Sequence, residues 1–304
     1  MSINLTILGC HSATPRVNAH PTSQFLTINN RTFLIDCGEG TQVQLRKFKL
    51  GFTKIQCIFI SHLHGDHYFG LIGLISTFML HKRNQELHIY GPKGIKEVII
   101  LQLKLSKTWI NFGLYFHELT SKSSELIYED EKVEVHTIPL KHRVYTNGFL
   151  FKEKEGMRKL NMAKIIKQNE IDVCDYRNLQ LGKDFIKEDG SLVKNDVLTL
   201  PPTQGKSYAF CSDTMYDESI VPIIKNCDLL YHETTFLKDL KELAKTTMHS
   251  TAFEAATIAK MAEAKQLIIG HFSSRYTNLN DFKQEAQEVF KNTALTSAGK
   301  EFQL

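Results

Sequence analysis

An α/β fold is predicted for this chain by two observations. Short apolar runs of strand length alternate with longer helical runs in both halves, and a single highly charged stretch, residues 154–196, interrupts that order. Taken in sequence, "INLTIL" (3–8), "SQFLTI" (23–28) and "RTFLIDC" (31–37) read as short strands. Asn29 and Asn30 supply a tight hairpin turn between the last two. "GTQVQLRKFK" suits a helix and "KIQCIFIS" a buried strand. "YFGLIGLISTFML" reads as a core helix in spite of its β-branched residues and glycines. A strand "ELHIYGP", a helix from about Lys93 and a strand-rich segment, 114–153, follow. The charged stretch holds short helical or hairpin pieces at most. Beyond it, "SYAFCSD", "DLLYHETT" and "QLIIGH" are strands separated by helical segments. The clearest helix is "STAFEAATIAKMAEA" (250–264), with Ser250 placed to cap its N-terminus.

Composition narrows the class. With 42% hydrophobic and 23% charged residues over 304 positions, the chain has the makings of one large or two medium folded domains. A net charge of +4 and a pI near 8.6 are compatible with a nucleic-acid partner but do not demonstrate one. The six cysteines form no C-x-x-C pair, which argues against a closed cysteine zinc site and against a disulfide scaffold. They read as reduced, mostly buried thiols of a cytoplasmic protein. "ILGC" (7–10) lacks the basic and long apolar segments of a lipoprotein leader. No apolar run reaches the roughly 20 residues of a membrane span.

The functional signal is "SHLHGDH" (61–67), directly after the apolar "IQCIFI". Three imidazoles and a carboxylate crowded at the end of a buried strand cost desolvation and mutual repulsion unless a cation gathers them. Other strands end in the same kind of group: "YAFCS" runs into Asp213, "LIIG" into His271, and His142 lies just past "VEVHTIPL". A rigid sheet whose strand ends converge fixes ligands while loops adapt. Five imidazoles (His62, His64, His67, His142, His271) and two carboxylates (Asp66, Asp213) exceed the four positions of one zinc. Two adjacent ions are therefore expected. Histidine with carboxylate favours zinc, then manganese or iron, over calcium or magnesium. His11, His20, His81, His88, His117 and His136 are read as ordinary core or surface residues.

H-x-H-x-D-H after a buried strand resembles the signature of the metallo-β-lactamase fold. "FLIDCGEGTQVQL", "ISHLHGDHYFGLIGL", "IYGPKGI", "YHETTF", "HSTAFEAATIA" and "AKQLIIGHFSSRY" are similar, in order and spacing, to stretches of the ribonuclease Z family of tRNA 3′-processing endonucleases. The resemblance spans essentially the whole chain. It implies a single αββα four-layer sandwich over residues 1–304, with residues 154–196 as a protruding arm that grips tRNA. It also implies that His62, His64 and His142 hold one zinc, that Asp66, His67 and His271 hold the other, and that Asp213 bridges them. "HETT" stands where the family has "HEAT", Ser212 where it has glycine, and "GCHSATP" where it has a "GTG" turn. Arg143 replaces a common small residue, and the arm lacks the family's Gly-Pro motif.

Two zincs about 3.5–4 Å apart share a water, lower its pKa toward neutrality and neutralise a phosphoryl oxygen during in-line attack. The resemblance therefore implies release of the 3′ trailer from precursor tRNA by a metal-bridging hydroxide. A 3′-hydroxyl is left on the tRNA and a 5′-phosphate on the trailer. Asp66 is expected to orient or deprotonate the nucleophile. His249, just before a helix, is expected to protonate the leaving oxygen, with Glu233 orienting it and raising its pKa. A cytoplasmic homodimer without membrane attachment completes the expectation. The substrate-binding residues are left unassigned: Arg46, Lys47, Lys49 and Lys54 lie in a stretch without acids but read equally well as a solvated face, and the arm carries nearly as many acids as bases. The rivals are the same fold acting on a thioester, a lactam or a small phosphodiester, and a metal-stabilised RNA-binding module without turnover.

Overall fold

In the computed structural model, which describes residues 3–14 and 16–304, the chain opens with an antiparallel meander of β1 (Ile3–Gly9), β2 (Ser23–Ile28) and β3 (Arg31–Ile35). Asn29 and Asn30 make the β2–β3 turn at φ 46° and 66°. Both central residues are left-handed, the conformation that matches strand twist and that asparagine tolerates. The chain continues through α1 (Thr41–Lys47), β4 (Cys57–Phe59), α2 (Gly65–Tyr68), α3 (Leu71–Leu80), β5 (Leu87–Pro92), α4 (Ile95–Leu105) and β6 (Leu114–Leu119). From β3 to β6 the pairing is parallel, as helical crossovers require. β7 (Leu126–Glu129), β8 (Val133–Leu140) and β9 (Thr146–Glu153) begin a second sheet.

Residues Glu153–Gly205 form a compact unit of their own, which takes in the charged stretch. It contains β10 (Lys159–Leu160), α5 (Met162–Ile165), α6 (Tyr176–Gln180), β11 (Phe185–Ile186), β12 (Leu192–Val193), α7 (Asn195–Leu198) and β13 (Thr199–Leu200). These pieces are too short to stand alone. They gather round a small core of Ile165, Ile171, Leu179 and Leu198, and Asn195 Nδ2 ties the unit by donating to Leu179 O and Lys183 O.

The other unit resumes with β14 (Ser207–Cys211), β15 (Leu229–Glu233), α8 (Lys241–Thr247), α9 (Ala252–Met261), β16 (Leu267–Gly270), α10 (Asn280–Val289), β17 (Thr293–Leu295) and β18 (Glu301–Gln303). One sheet runs β18-β1-β2-β3-β4-β5-β6 and the other β17-β16-β15-β14-β9-β8-β7. β4 shows why they stack. Cys57 and Phe59 point into the space between the sheets, while Ile58 and Ile60 point into the layer of α1, α3 and α4. Buried on both faces, the strand has no polar face to alternate with. Phe59 meets Phe149 and Phe151 across the sandwich at 5.3 Å between ring centres. Truncating it to alanine is expected to cost about 3–5 kcal/mol. In α3, Leu71, Leu74, Ile75 and Phe78 make the buried i, i+3, i+4, i+7 stripe. α9 and α10 cover the far face of the second sheet. The architecture is αββα.

One local expectation is corrected. The cap of α9 is Thr251, whose side chain accepts from Glu254 N while the Glu254 carboxylate accepts from Thr251 N. That reciprocal pair satisfies two otherwise unpaired amides. Ser250 instead donates its hydroxyl to Thr214 O at 2.7 Å.

Candidate metal centre

The strand ends converge. β4 leads into Ser61 and His62; His64 is extended at φ −75° and ψ 143° before α2, which carries Asp66 and His67. β8 leads to His142, β14 to Asp213, and β16 to His271. His271 is left-handed at φ 63°, and Asp36, at the end of β3, at φ 52°. Non-glycine residues there are strained. They are held by hydrogen bonds from His271 N to Cys10 O and from Asp36 N to Phe59 O, both 2.8 Å.

The side chains form two groups around Asp213. In the first, His64 Nδ1 lies 3.0 Å from His62 Nε2 and 3.3 Å from His142 Nε2. Asp213 Oδ2 is 3.6 and 3.9 Å from those two Nε2 atoms. In the second, Asp66 Oδ2 is 3.4 Å from His67 Nε2 and 3.5 Å from His271 Nε2. Asp213 reaches the same two nitrogens at 3.5 and 3.3 Å. Ligand atoms about 2.0–2.1 Å from one tetrahedral ion lie roughly 3.3 Å from each other, so both groups have transition-metal spacing.

The ring protons agree. Each of four imidazoles gives its Nδ1 hydrogen to an acceptor behind it: His62 to Ser61 Oγ (3.0 Å), His67 to Asp36 Oδ2 (2.7 Å), His142 to Met248 O (2.9 Å) and His271 to Thr235 Oγ1 (2.8 Å). Carbonyl and carboxylate oxygens can only accept. Ser61 Oγ donates to Asp36 Oδ2 and Thr235 Oγ1 to Glu233 Oε2, so each hydroxyl accepts from its histidine. With the rings neutral, as metal binding requires, all four Nε2 lone pairs face the cleft, the arrangement that orients metal-binding imidazoles. His67 Nε2 and Asp213 Oδ1, both buried, make no hydrogen bond. The residues present fit a pair of bound transition-metal ions.

The electrostatics point the same way. Burial and the His67 charge hold the His62 imidazole well below its usual pKa, whereas for His67 burial is outweighed by Asp213, Asp66 and Asp36, which push it well above. Asp213 is held far below the carboxylate range, with burial opposing and His271 and His67 prevailing. The pocket is rich in negative charge, which a bound cation would meet.

His249 lies at the edge of this cleft. Its Nδ1 is 2.9 Å from Glu233 Oε1, and Glu233 is wholly buried. Burial opposes its charge, but Glu233 prevails and pushes the imidazole up to about 9. Its ring centre is 5.0 Å from that of His142 and 5.5 Å from that of His271, and Asp213, His249 and His271 also lie within metal-binding reach of one another. His232 alternates to the other face of β15 and donates to Glu233 O.

The unexpected participants are Asp36, Ser61 and Thr235. Asp36 sits in the quoted "FLIDCGEG" stretch, as an acid closing a buried strand, and that was the available signal. The departures from the resembled family fit in as well. Ser212 donates to Ser61 Oγ at 3.0 Å, and Thr234 donates to Gly270 O at 3.0 Å.

The chain is 47% identical over 305 residues to the ribonuclease Z of Cytophaga hutchinsonii, covering 99% of this chain and 96% of that one. The chain belongs to the ribonuclease Z family. The ribonuclease Z of Bacteroides thetaiotaomicron is 44% identical over 291 residues, 96% of this chain and 92% of its own. Among solved structures, the short form of human tRNase Z superposes with a TM-score of 0.72 at 28% identity, over 99% of this chain and 98% of that one. The metallo-β-lactamase-fold protein YhfI of Bacillus subtilis gives 0.69 at 18% identity over 99% of both chains, a likeness of fold alone. Residues 3–159 also match the model of the family described as Anti-Pycsar protein Apyc1, just over half of the chain, so the chain belongs there too. Ribonuclease Z membership goes with a metal-binding site. No helix among the described residues is long and apolar enough to cross a membrane.

Proposed function

We propose that this protein is a zinc-dependent endoribonuclease that removes the 3′ trailer from precursor tRNA, leaving a 3′-hydroxyl on the tRNA and a 5′-phosphate on the trailer. The observation that carries the reading is the pair of ligand groups meeting at Asp213, with the Glu233–His249 pair beside them. His62, His64 and His142 would hold one ion and Asp66, His67 and His271 the other, Asp213 serving both. When bound, the two ions supply an activated water at neutral pH and neutralise charge on a phosphoryl oxygen. The chain's own residues do the remaining work. Asp66 orients the attacking water or accepts its proton. His249, kept protonated by Glu233, gives its Nε2 proton to the leaving 3′-oxygen as the phosphorus–oxygen bond breaks. Ser61, Asp36, Met248 and Thr235 hold the ligand rings so that no reorganisation is needed.

The unit at 153–205, including the arm at 154–196, serves in this reading to grip the body of tRNA by shape and backbone contacts. The working assembly is a homodimer. The test is to map the cut on one trailer-bearing precursor tRNA, with and without chelator, on protein whose metal content has been measured. Two zinc equivalents per chain and a chelator-sensitive cut at the tRNA 3′ end are expected. A cut elsewhere, or one that survives complete metal removal, overturns the proposal. A second reading keeps the site and changes the substrate to a small phosphodiester, which the same fold and metal groups would serve. A nitrophenyl diester in the same assay separates the two.

A further inference from the structure

The cleft over the ligand groups, about 430 Å³, is lined by more than ligands. Arg143 and Arg275 both border it, in the same lining as His249. Among the described residues that lining holds two carboxylates, Asp66 and Asp213, and both belong to the ligand groups. Neither arginine makes an ion pair among the described residues. Arg143 directly follows the ligand His142, and alongside burial its charge opposes protonation of His64 and of His249. The Arg275 guanidinium lies 5.9 Å from the ring centre of Phe236, which is itself 6.2 Å from that of His249. Both cations therefore stand by the reacting centre, exposed and without a carboxylate of their own.

We infer that Arg143 and Arg275 hold phosphates of the substrate chain that neighbour the scissile one, so that the cleft selects a polynucleotide over a diester with a single phosphate. The inference rests on the proposed cleavage of precursor tRNA and names residues that would make it selective. The scissile phosphate is already provided for: the ligand groups face its oxygens, and His249 faces the oxygen that leaves. Two further cations are surplus to a substrate with one negative charge. A nucleic-acid strand carries a charge at every nucleotide and can meet both. A guanidinium keeps its charge at neutral pH and offers a planar fork of donors to two phosphate oxygens. Arg143 stands where the resembled family commonly has a small residue, so its contact is a feature of this chain.

Arg143→Gln and Arg275→Gln keep most of each stem and remove the charge. Each should lower kcat/KM for precursor tRNA by roughly 10–100-fold, the effect of losing a charge-assisted hydrogen bond. Turnover of a nitrophenyl diester, which carries one phosphate, should fall by markedly less. Arg143→Lys and Arg275→Lys should recover part of the loss, because the charge remains while the fork does not. In equilibrium binding, short single-stranded DNA that stays intact through the measurement should bind each glutamine variant about tenfold more weakly, with a salt slope smaller by about 0.7 for the one contact removed. Equal losses on both substrates would place the arginines on the scissile phosphate and overturn the assignment. Unchanged DNA binding or an unchanged salt slope overturns it as well, and so does loss of metal, since the arginine would then act through the ligand groups. If the variants show the expected pattern on DNA but wild type leaves precursor tRNA intact, the tRNA reading fails while the two phosphate contacts stand.

Discussion

Asp36→Asn should remove metal from one half of the site without touching any ligand. Asp36 is fully buried and accepts three hydrogen bonds: from His67 Nδ1 at 2.7 Å, Ser61 N at 2.7 Å and Ser61 Oγ at 2.9 Å. In asparagine the carbonyl oxygen can still accept from Ser61 N, but an amide nitrogen takes the place of Oδ2. That nitrogen donates, so the His67 Nδ1 it faces must become an acceptor. The ring proton then moves to Nε2, and the lone pair facing the metal cleft is lost. Disturbing such a supporting partner costs about 10–100-fold in metal affinity. The stability cost of the near-isosteric change should be about 1–2 kcal/mol, one charged hydrogen bond weakened. Asp36→Ala is the harsher control. It orphans all three donors at about 1–3 kcal/mol each, several kcal/mol in all, from a total of order 5–15 kcal/mol. Metal titration of chelator-stripped protein reads the affinity, and denaturant unfolding of the stripped protein reads the stability. Wild-type metal affinity at both sites in Asp36→Asn would refute the argument that Asp36 sets the His67 tautomer.

His249→Ala should slow cleavage of precursor tRNA by roughly 10²–10⁴ while metal content stays at the wild-type value, and should slow a nitrophenyl diester less because its leaving group needs no proton. Equal losses on both substrates, or a lost metal equivalent, would move His249 from acid to ligand, a role its distance to Asp213 and His271 permits. Replacing 154–196 by a short linker should leave metal content intact and lower precursor-tRNA cleavage by orders of magnitude, because remote binding positions the reacting groups. A folded, metal-loaded deletion variant that still cuts precursor tRNA at the wild-type rate removes the arm from recognition. Asp228 links stability to pH. Burial raises its pKa, but Lys265, Ser207 and Lys206 outweigh it and leave the carboxyl below the usual range. The folded pKa is depressed, so the stabilisation is complete above the unfolded value near 3.9 and disappears as pH falls through the folded one. Asp228→Asn should thus cost about 1–3 kcal/mol at pH 7, with the gap to wild type closing only below about pH 4 in denaturant unfolding curves. A gap that is constant across that range would exclude the linkage.

The strand-and-helix order was determined by the sequence itself, because burial on one or both faces writes its period directly into residues such as those of β4 and α3. The two asparagines at 29–30 fixed a hairpin for the same local reason: few other residues sit easily at two positive φ values in a row. The crowding of His62, His64, Asp66 and His67 was equally plain, since nothing in packing would place those groups together. What sequence could not decide were contacts between residues far apart in the chain. Asp36 and Ser61, 25 positions apart, meet only because β3 pairs with β4, and Thr235 meets His271 only because β15 pairs with β16. The cap at Thr251 rather than Ser250 was decided when Thr214 O drew the serine hydroxyl away. Arg143 stood out in the sequence only as an unusual neighbour of His142. Its place in the lining of the cleft with His64, Asp66 and Asp213, with no ion pair among the described residues, comes from the convergence of strand ends, and local composition holds no trace of that geometry.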